Sequence, residues 1–558
     1  MAYYGIPSAS KALTAASTND KITIKDLGGT LASAQSLYGA DGNDVISLGA
    51  AGITATASAN FVLPSIGFGT GGADGTISGA GFVVSGTHIV SGNGYGHGSA
   101  ADAYSDTTGY TIPINGTGAT FNLQAIGVRT ADQGLRTSNA ALFQANAGND
   151  SIAFGDTLAR ASATTFAGGA GNDLIGGYTY VNEQWAAVRN SSTYVSSNIE
   201  GGLGNDTINI SGDAVFSALN LNANKGDDLV QLGGTISGFT NSIAGLGAGN
   251  DTMSGEFKNI ATATIAGGKG NDVIIVSAGS AEYAVFGLDR ANATNIDGDG
   301  NDSIYIAGGT VFTGSTIYGG GGNDTVTFSA MAMTASIVSL NKGADVFSGE
   351  EGLVIKDSTI GLGADNDLFS LDDSGSILSS RINLGKGTDT VNFGGDDVGS
   401  STFIATVYGG AGADLLLQSA SAEAGDTYAV QLGYASNSES TLSAFDTVDM
   451  NVNATGTYQF RYDPGATIGS FDGNGVSGTN GVVTFSSTFA NGVTARAEAV
   501  ASNLSDGEAV AFLDEDSKAY FFVKGSSDNL LVQVGSAAVD TLDSLTVSSE
   551  KGISLKIH

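Results

Sequence analysis

A glycine-rich turn that ends on an aspartate recurs thirteen times along this chain of 558 residues. Eight of the turns end Gly-Asn-Asp, and the others end GDD, GAD, DND or GTD. From the second turn onward, nine of the eleven successive spacings fall between 21 and 25 residues. A fixed period of about 22 residues is typical of repeat architectures, in which each unit buries the apolar face of the next. The aspartates are Asp44, Asp150, Asp173, Asp206, Asp228, Asp251, Asp272, Asp302, Asp324, Asp345, Asp367, Asp389 and Asp414.

Each repeat has the same internal pattern, which predicts strands. A short alternating run follows the aspartate, as in TVTF at 325–328, and a second run, as in STIY at 315–318, leads into the next turn. Alternation places one set of side chains inside a coil, and stacked coils pair their strands about 4.8 Å apart. We therefore predict an all-β fold, a parallel β-solenoid with two strands and two turns in each coil of about 22 residues.

The repeats divide the chain into four predicted regions. Residues 1–49 carry one turn, and residues 141–420 form the solenoid. Residues 50–140 are rich in Gly, Ser and Thr, and they are either degenerate coils or an inserted β-domain. Residues 421–558 lack the glycine turns and contain longer apolar runs such as TYQFRY and AYFFV, which predict a C-terminal β-sandwich-like domain.

Two long spacings insert extra residues at 178–198 and 279–296. Insertions in a solenoid map to loops, so we expect both on the edge opposite the glycine turns. They contain Trp185, Arg189 and Arg290, residue types that are favoured at interfaces. A loop that packs back on the coil and a loop that contacts a partner are both open.

The composition excludes several classes of function. The chain has 55 acidic and 21 basic residues, so its net charge of −34 would repel nucleic acid. It has no cysteine, which excludes disulfides and thiolate metal sites. We find neither a signal-peptide pattern at the N-terminus nor an apolar run of 18 residues, so we expect no transmembrane segment.

The turns suit a hard cation. Glycine allows the backbone conformations that point carbonyls inward, and aspartate supplies the charge. Oxygen-only ligands favour Ca²⁺ over transition metals. A column of carboxylates about 4.8 Å apart would repel strongly without cations. Metal-free turns are the alternative, because Gly and Asn also suit tight turns without an ion.

The repeats resemble the RTX, or hemolysin-type, nonapeptide G-G-x-G-x-D-x-U-x. Segments 168–176, 201–209, 267–275 and 319–327 match it position by position. The resemblance implies a β-roll that binds Ca²⁺ between successive turns, with the aspartates of the turns as ligands. RTX nonapeptides run in tandem, whereas this chain has one in each coil, so we expect ions on one edge only. In the four matching segments the resemblance adds the carbonyls of Gly168, Gly171, Gly201, Gly204, Gly267, Gly270, Gly319 and Gly322.

Residues 509–547 are similar to the terminal segment of type I secreted RTX proteins. This similarity implies an extracellular protein, exported by type I secretion without an N-terminal signal. The three histidines, His88, His97 and His558, are not spaced as H-E-x-x-H, and no G-x-S-x-G elbow is present. We therefore expect no enzymatic activity.

These features predict an extracellular, calcium-stabilised structural protein that assembles with copies of itself on the cell surface. It would resemble bacterial surface-layer proteins built from RTX-type repeats, with cell-surface polysaccharide as a further candidate partner. Two alternatives remain open. One is a virion structural or fibre protein of a phage, with the solenoid as a spacer. The other is a secreted polysaccharide-acting enzyme or adhesin.

Overall fold

Parallel strands stacked in three ladders form the solenoid, which confirms the predicted fold class. The computed structural model divides into two compact units, Met1–Ala291 and Asn292–His558. Most of the described coils contain three strands, one more than the sequence suggested, and in a few coils one long strand runs through two ladders. We call the ladder that follows the aspartates ladder 1, the next along the chain ladder 2, and the one that leads into the glycine turns ladder 3. Side chains are described mainly over residues 161–176, 193–287, 300–394, 404–417, 430–449 and 458–556, with short gaps, and elsewhere only the backbone of strands is described.

In the first unit, strands of neighbouring coils pair in register within each ladder. Ladder 1 contains Tyr3–Tyr4, Lys21–Ile24, Val45–Leu48, Asp74–Ser78, Thr120–Gln124, Ser151–Ala153, Leu174–Gly176, Thr207–Ser211, Leu229–Ile236, Thr252–Ala261 and Val273–Glu282. Ladder 2 contains Ala59–Phe61, Phe82–Ser85, Leu135–Ser138, Leu158–Ser162, Thr193–Val195, Val215–Ser217 and Gly238–Thr240, and continues into the ends of the last two strands of ladder 1. Ladder 3 contains Leu13–Thr14, Ser36–Tyr38, Ser65–Gly67, His88–Val90, Ala141–Gln144, Thr164–Ala170, Asn198–Leu203, Asn220–Lys225, Ile243–Ala248, Thr264–Lys269 and Val285–Gly287.

The second unit repeats this arrangement. Its ladder 1 contains Ser303–Ala307, Thr325–Phe328, Val346–Gly349, Leu368–Leu371, Thr390–Phe393, Leu415–Gln418 and Asp446–Asp449. Its ladder 2 contains Val311–Thr313, Ala332–Thr334 and Val354–Lys356, then the first residues of Ser376–Gly387 and Thr402–Gly412, and Thr427–Tyr428. Its ladder 3 contains Thr316–Gly321, Ile337–Lys342, Thr359–Ala364, the ends of the same two long strands, Gln431–Tyr434 and Gly456–Tyr462.

The strands within 50–140 belong to these parallel ladders, and the parallel pairing continues past residue 420 to Tyr462. The insertion at 178–198 contains an antiparallel hairpin, Tyr178–Val181 with Gln184–Ala187, which includes Trp185. The expectation of a loop at 279–296 is wrong for its first half. Residues there complete the strands Val273–Glu282 and Val285–Gly287, because they supply the buried side chains of their coil. Arg189 and Arg290 lie outside the described residues.

Alternating strands fill the coil interior with one apolar row for each inward position. In the second unit, Phe347 lies between Phe328 and Phe369, with ring centroids 5.6 and 5.1 Å away, and the second pair is stacked at 3°. Ladder 2 contributes a similar row in the first unit, where the rings of Phe216 and Phe239 are 5.9 Å apart. Such aromatic pairs stabilise the stack beyond their buried area.

The C-terminal part of the second unit is a mixed sheet with one helix. Gly456–Tyr462 pairs antiparallel with Gly552–Ile557, which pairs antiparallel with Leu542–Val547. The helix Val493–Asn503 buries Ala497 and Val500 in the apolar core of this part. The sequence reading did not predict the helix. The remaining strands are Thr467–Ile468, Phe471–Gly473, Val476–Thr479, Val482–Phe485, Glu508–Leu513, Ala519–Val523 and Leu530–Val534.

Candidate metal centre

Eleven of the thirteen predicted aspartates lie in the described part of the chain, and all eleven are buried, none more than 6% exposed. Asp44 and Asp150 lie outside the described residues. Each buried aspartate ends the glycine turn between ladder 3 and ladder 1. It therefore takes its position from two strands that are each fixed by neighbours in the stack.

Hydrogen bonds join the aspartates of successive coils through one carboxylate oxygen each. The backbone N–H of Asp206 donates to Oδ1 of Asp228 at 2.7 Å, and the N–H of Asp228 donates to Oδ1 of Asp251 at 2.7 Å. The same bond recurs in the second unit, for example from Asp345 N–H to Oδ1 of Asp367 at 2.8 Å. We call these rows the aspartate ladder. Its members are Asp173, Asp206, Asp228, Asp251 and Asp272 in the first unit, and Asp302, Asp324, Asp345, Asp367, Asp389, Asp414 and Asp446 in the second.

The second carboxylate oxygen is the unusual atom of the ladder. In the part of the chain that the structure describes, seven aspartates bury Oδ2 with no hydrogen-bond partner. An unpartnered buried oxygen is costly, and a buried carboxylate needs a counter-charge. Because the same unpartnered oxygen recurs in seven of the described coils, it is a feature of the repeat and not of one turn. The seven are Asp206, Asp228, Asp251, Asp345, Asp367, Asp389 and Asp414.

Burial raises the pKa of these carboxyls above the ordinary value. The pKa of Asp206 rises to about 8 because the group is desolvated, and Asp173 and Asp228 beside it add to the rise. For the same first reason the pKa of Asp367 rises to about 8, with added repulsion from Asp345 and Asp389. In each case the backbone N–H on Oδ1 opposes the rise but does not cancel it. Desolvation similarly raises the pKa to about 7 for Asp228, Asp345 and Asp414, and to about 6 for Asp251 and Asp389.

The glycines of the turn have two separate roles. The first glycine leaves space for the carboxylate: a Cβ on Gly319 would lie 2.6 Å from Oδ2 of Asp324. Gly201 has the same relation to Oδ2 of Asp206, at 2.5 Å, and Gly168 and Gly267 occupy the equivalent position in their turns. The last glycine adopts a positive φ that other residues rarely adopt. These residues are Gly171, Gly204, Gly270 and Gly322, with φ of 128°, 111°, 107° and 112°.

A second ladder, made of serine, lies at the corner between ladders 2 and 3. Its side-chain oxygens also accept backbone N–H groups of the neighbouring coil. The N–H of Ser336 donates to Oγ of Ser358 at 3.1 Å, and Oγ of Ser358 donates to the carbonyl of Lys356 at 2.7 Å. Leu219 N–H likewise donates to Oγ of Ser242. These hydroxyls are neutral and satisfied on both sides. The sequence reading missed this ladder, whose signal is a serine that recurs in several of the small-residue connections, at Ser197, Ser242, Ser315, Ser336, Ser358 and Ser380.

An exposed third ladder lies beside the aspartates. The amide oxygen of Asn301 accepts from the N–H of Asn323 at 2.7 Å, and that of Asn323 accepts from Ala344 at 2.8 Å. This bonding explains the Asn of the Gly-Asn-Asp turn without an ion. Serine and asparagine thus satisfy a backbone N–H without charge, so the charge of aspartate is not needed for that bond.

The residues present fit a hard cation such as Ca²⁺. At Gly168, Gly201 and Gly319, Oδ2 of the aspartate in the same turn and a backbone carbonyl oxygen of the next coil both lie within 2.7 Å of the position that a Cβ would take, and all of these donors are oxygen. Among the described residues, no three or more His, Cys, Asp or Glu side chains converge on one point. Any bound ion would therefore take one carboxylate from a coil and draw its other ligands from backbone carbonyls and from neighbouring coils.

Sequence reasoning missed Asp446, the last rung of the ladder. It follows Asp414 by 32 residues and has no glycine turn before it, although the strand DTVD at 446–449 has the same alternation as the repeats. Asp414 N–H donates to its Oδ1 at 3.0 Å. None of the described helices is long and apolar enough to cross a membrane.

Comparisons with known proteins give one structural likeness and no family. No protein-family model and no curated protein matches the chain. One similar solved structure is the X-ray crystal structure of a hyperactive, Ca²⁺-dependent, beta-helical antifreeze protein from an Antarctic bacterium. The two chains are 17% identical, the match covers 62% of this chain and 83% of the other, and the TM-score is 0.35. A likeness at this level carries no functional argument. The solenoid itself is consistent with the resemblance of the repeats to RTX sequences.

Proposed function

We propose that this chain is a structural β-solenoid that Ca²⁺ stabilises by binding along the aspartate ladder. One observation carries the proposal: among the described residues, three stacked coils of the first unit and four of the second each bury a carboxylate oxygen that has no hydrogen-bond partner. A divalent cation between coils would complete these oxygens and offset their mutual repulsion.

The serine ladder supports this reading because it solves the same backbone problem without charge. Oγ of Ser242 accepts the N–H of Leu219 at 3.0 Å, much as Oδ1 of Asp228 accepts the N–H of Asp206. If accepting an N–H were the only role, Ser or Asn would suffice in the glycine turn. An aspartate at this position lowers the stability of the ion-free coil because its carboxylate is buried without a counter-charge. A bound cation would supply that counter-charge.

The coils differ in how much room they leave for an ion. The residue five positions before the aspartate is Gly201 for Asp206 but Leu340 for Asp345, and Leu340 is buried. Since a side chain at this position packs where Gly201 leaves space, we propose that the Gly turns bind Ca²⁺ more tightly than the Leu turns.

We further propose that the protein is extracellular and non-enzymatic, and that it assembles with copies of itself on a cell surface. The acidic, cysteine-free composition and the secretion-signal-like segment at 509–547 support this location. Calcium is plentiful outside cells, so a solenoid that folds with Ca²⁺ would reach its stable form after export.

Calcium dependence is tested by removing the ion from the full chain. We expect the β-sheet signal in far-UV circular dichroism to fall in excess EGTA and to return with Ca²⁺ but not with an equal concentration of Mg²⁺. Asp228→Asn keeps an acceptor for the N–H of Asp206 and should lower the number of bound ions by about one. Ser242→Ala is the matched control, since it weakens a ladder but should leave that number unchanged. An identical spectrum and thermal midpoint with and without EGTA would refute the proposal.

Assembly is tested by electron microscopy during a calcium titration. Ordered sheets that form with Ca²⁺ and dissolve in EGTA would support the surface-layer-like role. Fibres that form without calcium would favour the virion alternative. Monomers at every calcium concentration would overturn self-assembly and favour the adhesin or enzyme alternative.

A further inference from the structure

The outer side of ladder 1 in the second unit carries no charged side chain over six successive coils. Each strand there presents two side chains outward, because the alternate residues face the interior. We call this surface the ladder 1 outer face, and we propose that it binds the same face of a second copy of the chain. The inference rests on the self-assembly in the proposed function and names the surface that makes it. The face consists of Ser303, Tyr305, Thr325, Thr327, Val346, Ser348, Leu368, Ser370, Thr390, Asn392, Leu415 and Leu417.

The composition of the ladder 1 outer face suits the centre of a protein–protein contact. Val346, Leu368 and Leu415 project from it, and its other residues are polar without charge. The uncharged residues of the exposed third ladder, from Asn301 to Thr388, run beside it. Interface centres are depleted in charged residues, because burying an unpaired charge is costly. Two copies that each carry a net charge of −34 repel, and an uncharged surface is where their approach costs least.

The two edges of the face carry opposite charge. The exposed side chains of Lys342 and Lys386 lie at the glycine-turn edge, at the end of ladder 3. Glu350 and Asp372 lie at the opposite edge, directly after the ladder 1 strands of their coils. Asp365 also lies at the glycine-turn edge, where the two lysines outnumber it. A face with one basic and one acidic edge has a preferred orientation against a copy of itself.

Charge selects one of two symmetric arrangements. A two-fold axis along the strands would place each edge against itself, so that lysines meet lysines. A two-fold axis along the stack places the lysine edge of one copy against the acidic edge of the other, with the two stacks parallel. Lys342 then faces Glu350 of the other copy, because both lie in one coil, and Lys386 lies one coil from Asp372. The hydroxyl of Tyr305 donates to Oε2 of Glu350 at 3.2 Å, which holds that carboxylate at the edge. The parallel arrangement is therefore the favoured one.

The size of the face predicts a weak contact. Six strands about 4.8 Å apart, each contributing about five residues of about 3.3 Å, cover roughly 500 Å² on each copy. A standard interface buries about 800 Å² on each side. Association through this face should therefore be reversible and should need a high local concentration of the protein.

The first unit repeats this pattern less completely. The first two outward residues of its ladder 1 strands, from Leu174–Gly176 to Val273–Glu282, are also uncharged, and Ile275 is 41% exposed. The exposed carboxylate of Asp227, however, lies beside this face, where it accepts the N–H of Asn250. The contact is therefore assigned to the second unit, whose corresponding positions carry no charge.

Disulfide trapping tests the face directly, because the chain has no cysteine of its own. Val346 lies midway along the chain between Lys342 and Glu350, so in the parallel arrangement it faces its own copy. The full chain with Val346→Cys should form a covalent dimer when oxidised with copper-phenanthroline in Ca²⁺. The matched control is Ser339→Cys on the outer side of ladder 3 in the same unit, which should stay monomeric. Circular dichroism in Ca²⁺ checks that both variants fold, and Leu368→Cys, at the same position of the next coil, replaces Val346→Cys if that variant does not.

Charge reversal tests the orientation, with sedimentation velocity of the full chain in saturating Ca²⁺ as the measurement. Lys386→Glu should weaken self-association about tenfold, because the symmetry changes two contacts at once. Asp372→Lys should weaken it similarly, and the double variant should restore it. The matched control is Lys356→Glu, which makes the same charge change on the outer side of ladder 2 and should alter self-association less than about twofold.

The outcomes separate this face from the proposed function. A wild type that self-associates while Val346→Cys fails to cross-link, or cross-links no faster than Ser339→Cys, would refute the face and leave self-assembly standing. A double charge variant that does not recover would refute the parallel arrangement. A wild type that stays monomeric in Ca²⁺ at every concentration would overturn the face and the proposed self-assembly together, whereas calcium binding is decided separately by the chelation experiment.

Discussion

Calcium binding should release protons from the aspartate ladder in an amount that depends on pH. The ion-free carboxyls have raised pKa values, so near neutral pH several of them hold a proton that a cation must displace. At pH 7, the two groups with a pKa of about 8 hold nearly one proton each, the three at about 7 hold about half each, and the two at about 6 hold about a tenth each. Saturation with Ca²⁺ should then release about 3.5 protons.

The assay is isothermal titration calorimetry at pH 7 in buffers of different ionisation enthalpy, where the slope of the apparent enthalpy gives the number of protons. The release should rise to about six at pH 5.5 and fall below about 0.5 at pH 9. Asp206→Asn should lower the release at pH 7 by about one. Asp213→Asn, an exposed residue away from the ladder, should leave it unchanged. A slope of zero at pH 7, or one that does not vary with pH, would refute the reasoning.

The same pKa values fix the pH dependence of the ion-free fold. Each folded pKa lies above the unfolded value of 3.8, so folding favours the protonated carboxyl. This contribution to stability is fully present below the unfolded pKa and is lost as the pH rises through the folded values of about 6 to 8. In EGTA the thermal midpoint should therefore fall between pH 5 and pH 8, whereas saturating Ca²⁺ should remove most of that fall. A midpoint in EGTA that rises over this range would contradict the assignment.

Three substitutions test the packing, each by urea denaturation in Ca²⁺. Phe347→Ala should lower the free energy of unfolding by about 3–5 kcal/mol because it leaves a cavity inside the aromatic row. The control, Ser348→Ala on the outer face, should change this free energy by less than about 0.5 kcal/mol. Equal effects of the two substitutions would contradict the stacked interior. Gly319→Ala should cost about 1–3 kcal/mol, since its Cβ would press on a carboxylate and on the next coil, while Gly361→Ala, which has only ordinary contacts, should be tolerated. Asn323→Ala should cost about 1 kcal/mol by removing the acceptor of the next coil's N–H, and no effect would show that the exposed ladder is dispensable.

The solenoid could be predicted from the sequence because the period of the coils is visible in the spacing of the glycine turns. It did not reveal the third strand of each coil, because a strand such as Val215–Ser217 contributes one buried side chain, Phe216, and one residue shows no alternation. Asp446 was missed for a related reason, since the turn before it has no glycine. The helix Val493–Asn503 had a usable signal in its Ala, Glu and Arg content, which favours helices.

The function of each aspartate was harder to predict, because burial and partners decide it. The sequence shows the carboxylates but not that Oδ1 is already used by a backbone N–H while Oδ2 is left over. The same limit hid the serine ladder, since Ser242 or Ser336 in a small-residue connection has the composition of an ordinary loop. Only the register of the coils brings these side chains into columns.

The in-register pairing of coils has a consequence for how such a gene can change. In the described ladders the strands of a coil pair with those of the coil on either side, so duplicating or deleting one coil of about 22 codons preserves the columns of side chains. A change of one codon within a strand would instead turn its inner residues outward. The number of coils can therefore change by duplication or deletion without any change in the sequence of the individual turns. Each added copy lengthens the stack by about 4.8 Å and adds one aspartate.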